Sequence, residues 1–151
     1  MKQIRIFLFA LLCTFLALPA MAQEGKGIQF FKGTFAQALA KAKSEGKPLF
    51  VDFYAVWCGP CKKMEKQIFT QPEVGEYFNK HFVALQLDAE KPENVDAAKT
   101  YKVEAFPTLG IFDGEGKALS INVGYMNAQE LMAMAKTAVG EVKGFEQLYK
   151  E

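Results

Sequence analysis

Cysteine and histidine are scarce: the 151 residues hold three cysteines, Cys13, Cys58 and Cys61, and one histidine, His81. A closed zinc site needs four such ligands and would have to recruit every one of them. Excess charge is also missing, with 18 basic against 17 acidic side chains and no basic stripe interleaved with aromatics, so nothing offers a hold to nucleic acid. The apolar run from Ile6 to Leu18 is about 13 residues, short of the roughly 20 that a membrane-spanning helix needs. There is no internal repeat, no low-complexity stretch and no room for a second domain. Half of the residues are hydrophobic, which suits one domain with a substantial core.

What is present is concentrated in Trp57-Cys58-Gly59-Pro60-Cys61. The run before it, Pro48 to Ala55, is apolar and β-rich and predicts a buried strand; a helix follows. Gly59 and Pro60 suit a sharp strand-to-helix junction, because glycine accepts unusual dihedrals and proline in a first helical turn lacks only an N–H that would be unpaired there. Cys58 is therefore expected at the mouth of a helix N-terminus. Unpaired amides and the helix dipole stabilise a thiolate at that point, and Cys61 one turn on can reach it. A purely structural disulfide is a weaker reading, since a loop this short adds little stability. Two unrelated buried cysteines would leave the flanking Trp, Gly and Pro unexplained. Redox chemistry accounts for all of them.

Met1 to Ala22 has the layout of a secretory signal, with Lys2 and Arg5, the apolar run, and Pro19-Ala20-Met21-Ala22 as a cleavage site. The expectation is cleavage after Ala22, leaving a single domain over 23–151 with its core at about 28–140; a retained anchor is the alternative. Bulky Leu12 before Cys13 and the apolar run after it argue against lipid attachment. Loss of Lys2 and Arg5 would leave 16 of the 18 basic residues against 17 acidic ones, with only the two motif thiols.

Along the remaining chain, Ile28 to Phe31 predicts a short strand and Thr34 caps a helix ending at Gly46-Lys47-Pro48. Leu49 to Ala55 is the central strand, with Asp52 as its one acid. The helix from Gly59 is interrupted at Thr70-Gln71-Pro72-Glu73 and resumes at Val74, as one bent helix or two. Phe82 to Leu87 is a strand, with His81 at its start in a surface or capping role. Lys91 to Tyr101 is a polar helix, Leu109 to Val123 a hairpin turning at Asp113-Gly114-Glu115-Gly116, and Asn127 to Val139 the last helix. Met126, Met132 and Met134 suit core filling. The tail FEQLYK carries no readable function. The order gives an α/β fold, a mixed sheet with helices on both faces and the cysteines at the C-terminal end of a central strand.

The stretch VDFYAVWCGPCKKME resembles the active-site segment of thioredoxins, and the likeness runs from about Phe30 to about Val139. Within that fold, KPLFVDFYAVWC, FTQPEV, AFPTLGIFDGEGK and VGYMNAQEL are most similar to exported reductase domains such as the C-terminal domain of DsbD. The resemblance implies a thioredoxin fold in which Cys58 attacks a substrate disulfide and Cys61 resolves the mixed disulfide. It implies that Asp52, six residues before Cys58, assists proton transfer at Cys61. It implies a cis Phe106-Pro107 bond opposite the cysteines and a small residue, Gly124, beside them. Trp57, Gly59, Pro60, Phe106, Pro107 and Gly124, with Val56, would form a rim for extended protein chains; Tyr125 could belong to rim or core. The family's lysine next to the aspartate is absent, and the alignment puts that position at Ala84.

The expected function is an exported thiol-disulfide oxidoreductase reducing disulfide-containing proteins, periplasmic if the cell is a Gram-negative bacterium. It would be recharged by a membrane electron donor, act as a monomer and need no metal or cofactor beyond the dithiol. An oxidase or isomerase is the alternative direction, and a non-catalytic partner-binding or chaperone module the alternative class.

Overall fold

The computed structural model describes residues 27–141. The leader Met1–Ala22 and the tail FEQLYK lie outside them. Four strands form one sheet in the order β2-β1-β3-β4, from β1 (Leu49–Tyr54), β2 (Val83–Asp88), β3 (Thr108–Phe112) and β4 (Ala118–Val123). β1 pairs in parallel with β2 and antiparallel with β3, and β3 pairs antiparallel with β4. The sheet is mixed, as the sequence predicts.

Helices cover both faces. Phe50 points toward α2 (Gly59–Gln67), α3 (Pro72–His81) and α5 (Ala128–Ala138), packing with Met64, Val74, Phe78, Leu109 and Leu131. Leu49, Val51 and Phe53 point the other way, toward α1 (Phe35–Glu45) and α4 (Val95–Thr100), packing with Ala38, Ala42, Ala98 and Phe112. A strand covered on both faces has no polar alternation, which is why β1 reads as a nearly continuous apolar run. Thr34 and Asn127 close capping boxes on α1 and α5, fixing where each helix starts.

Three expectations are refined. The strand proposed for Ile28–Phe31 is a single parallel bridge, Phe30 to Ala84. The amides of Ile28 and Gln29 are already taken by Phe69 O and Asn79 Oδ1, so only Phe31 N–H is left to pair with β2. The interrupted helix is two helices, because Pro72 starts a new first turn at α3. The polar helix is a 3₁₀ turn, Pro92–Asn94, followed by the short α4.

Gly75 on α3 marks the closest approach of chain to helix: a Cβ there would stand 2.2 Å from the carbonyl carbon of Gly27. Backbone cannot yield as a flexible side chain can. Gly75→Ala is expected to lower stability by about 2 kcal/mol in chemical denaturation, because overpacking at a backbone contact forces the first segment off α3.

Candidate active site

β1 ends at Tyr54, and a tight turn closes when Cys58 N–H donates to Ala55 O at 3.0 Å. Cys58 is then the N-cap of α2, with extended backbone, and its Sγ accepts the Cys61 N–H at 3.1 Å. Pro60 lies within the first turn, as its missing N–H allows. Cys58 and Cys61 are joined by a disulfide, with Cα atoms 5.3 Å apart. The two residues are only 2% and 5% exposed, packed with Ala55 and screened by Tyr54 and Phe106. This shielding is not legible in the motif, which suggests an open site.

The rim is exposed. Val56 and Trp57 are 61% and 66% accessible. Trp57 meets the Phe106 ring edge-on at 5.9 Å and donates its indole N–H to Glu90 Oε2 at 2.9 Å. The Phe106-Pro107 bond is cis, as expected. Gly124 donates its N–H to Pro107 O at 2.7 Å, at φ +104°, where a Cβ would enter open space. Pro107 and Gly124 are thus joined to each other, and reach the cysteines through Phe106. Tyr125 belongs to the rim, with Lys63 Nζ 4.8 Å from its ring centroid. His81 takes no part: it stacks on Tyr77 in the last turn of α3.

Asp52 is buried in β1, and it shares with Cys61 a cavity of about 230 Å³ also lined by Tyr54, Ala55, Val56, Lys62, Glu65 and Gln86. The residue beside it on β2 is Gln86, whose amide N–H donates to Asp52 Oδ2 at 3.2 Å. Ala84, where the alignment puts the family's lysine, lies two residues earlier on the same face of β2, paired with Phe50 in the core. Asp52 Oδ1 is buried with no hydrogen-bond partner.

A thioredoxin-like domain model matches residues 35–138. The chain belongs to the thioredoxin-like family. It is 33% identical to thioredoxin Y of Oryza sativa, covering 84% of this chain and 72% of that one. It is 36% identical to the thiol:disulfide interchange protein DsbD of Vibrio cholerae over 71% of this chain, but spans only 19% of that longer protein. A solved structure of a proposed disulphide-isomerase from Bacteroides thetaiotaomicron is 42% identical, with a TM-score of 0.68, covering 78% of this chain and 98% of that one. The chain is a thiol-disulfide oxidoreductase whose redox group is the Cys58–Cys61 disulfide itself.

In this thioredoxin-like site the carboxyl of Asp52 is the electrostatic anomaly. Burial pushes its pKa up from 3.8 to about 7; the Gln86 hydrogen bond pulls against that rise and the Glu65 charge adds to it. Between those values the unfolded chain has released this proton while the folded one keeps it, so stability falls as pH rises through the window. The loss is on the order of 4 kcal/mol at most. Asp52→Asn removes the titration. The variant is expected to match the parent near pH 4 and to gain stability progressively up to about pH 8, as measured by urea unfolding across pH.

Proposed function

We propose that this chain is an exported reductant of protein disulfides. The observation that carries the proposal is the Cys58–Cys61 pair capping α2, with a protonatable carboxyl in the cavity behind Cys61. In the reduced state the Cys61 N–H and the positive end of α2 favour a Cys58 thiolate. That thiolate attacks one sulfur of a substrate disulfide, and the other sulfur leaves as a thiolate. Cys61 gives its proton to Asp52, attacks Cys58 Sγ and displaces the first substrate sulfur, so the substrate departs with two electrons and the protein keeps its own disulfide. Trp57, Val56, Phe106, Pro107 and Gly124 provide the rim along which an extended chain lies, with Gly59 and Pro60 at the helix mouth.

The reducing direction draws support from Gly-Pro between the cysteines and from the DsbD relatives. Export draws support from the signal layout of residues 1–22. Outside the cytoplasm a reductant needs a dedicated source of electrons, and a membrane donor fits that need; the chain would work as a monomer. Among the described residues no helix is long and apolar enough to cross a membrane.

The deciding measurement is the equilibrium reduction potential of the Cys58–Cys61 pair against a dithiothreitol series. A value near −270 mV, about that of thioredoxin, is expected; one well above about −180 mV would make the protein a disulfide donor or isomerase, the direction named for its Bacteroides relative. Export has its own check. The mature N-terminus recovered from the exported fraction is expected at Gln23, and a chain still starting at Met1 would replace the cleaved leader with a retained anchor.

A further inference from the structure

The Asp52 carboxyl has two inequivalent oxygens. Oδ2 takes the Gln86 amide hydrogen, while Oδ1 is buried without any partner. With Oδ2 held by the amide, Oδ1 is the oxygen left to exchange a proton with a group that lines the cavity. Cys61 lines the same cavity. We propose that Gln86 is a positioning residue that holds Oδ2 and leaves Oδ1 as the oxygen that exchanges a proton with Cys61. The inference rests on the proton-accepting role given to Asp52 above.

The choice of an amide is what makes this work. A neutral N–H donor bonds Oδ2 whether the carboxyl is charged or protonated, so the group stays oriented through the whole cycle. An ammonium at the same place would favour the carboxylate and lower the pH at which Asp52 accepts a proton. The parallel register makes Gln86 the direct cross-strand partner of Asp52, so its reach does not depend on a flexible loop. The remaining ionisable groups on the cavity wall are Tyr54 from β1 and Cys61, Lys62 and Glu65 from α2; β3 contributes apolar Leu109 as the opposite partner. Asp88, at the end of β2, bears on Tyr54.

In the balanced step, the Cys61 S–H bond breaks and its proton goes to Oδ1. The sulfur's electron pair forms the bond to Cys58 Sγ, and the bond from Cys58 to substrate sulfur breaks, with the electron pair leaving on the substrate thiolate. Asp52 then returns the proton to water through the cavity.

The test uses Gln86→Met, which keeps the chain length without the donor, and Gln86→Lys, which adds charge. The Asp52 carboxyl is titrated by carbon NMR in the oxidised protein, where the cysteines do not titrate. Resolution is followed from the second thiolate released when reduced protein meets an aromatic disulfide reagent. The Asp52 midpoint is expected to rise by about one unit in the Met variant and fall by about two in the Lys variant, with the acid limb of the resolution rate moving in step. Unmoved midpoints in both variants, with Asp52→Asn still slowing resolution, overturn the role of Gln86 and leave that of Asp52 intact. Midpoints that move while the rate profile stays put overturn both roles together.

Discussion

The hydrogen bond from the Cys61 amide to Cys58 Sγ is the interaction on which the site depends. It exists because β1 delivers the chain to a single point and α2 must begin there. Ala55 O takes the Cys58 N–H, which turns the chain; Cys58 then caps the helix with sulfur instead of the usual oxygen. Pro60 has no N–H, so no competing amide of that residue points at the sulfur. The same donor that meets Sγ in the disulfide is in place to stabilise a thiolate once the bond opens. Cap, nucleophile and helix start are one structural feature.

Beneath the junction, a carboxyl sits in the central strand at the expense of stability. The rest of the core is built to tolerate it. On the α1 and α4 side, Phe35, Tyr101, Phe53 and Phe112 pack ring against ring, and on the other side Phe50 stands edge-on to Phe78. Aromatic pairs of this kind add about 0.5–1.5 kcal/mol each beyond burial, enough in sum to carry one poorly satisfied acid. The acid faces the side of the sheet that holds α2, where it shares a cavity with Cys61.

The sequence declares the strand, the helix start and the redox pair because each depends on local chemistry: apolar runs, a Gly-Pro turn, thiols three positions apart. It declares Asp52 because one acid interrupts an apolar strand. It conceals Gln86, Glu90 and the shielding by Tyr54, since these depend on register and on which loops meet. Gln86 was nevertheless within reach. It is the one polar residue between Val83 and Leu87, and a polar position in one central strand calls for its match in the next. Ala84, two residues earlier on the same face of the sheet, pairs with Phe50 instead. Glu90 carried no such signal, because its contact with Trp57 bridges 33 positions of chain through loop geometry.

Burial of the sulfurs beneath an exposed rim separates two tasks that a shallow site would combine. Trp57 is held by the hydrogen bond from its indole nitrogen to Glu90 and by the T-shaped contact with Phe106, and it stays exposed. In the proposed function a partner chain meets this surface first, and its disulfide must then come within bonding distance of a sulfur that is almost fully covered. On the proposed mechanism, contact at the rim governs which chains approach, whereas the Cys58 cap and the Asp52–Gln86 pair govern how readily electrons and protons move once they arrive. The rim lies mostly on loops, the cysteines at the start of α2, and Asp52 and Gln86 on paired strands. Loops can change their side chains at little cost to the fold, while β2 cannot slip by one residue against β1 without turning Gln86 to the wrong face of the sheet.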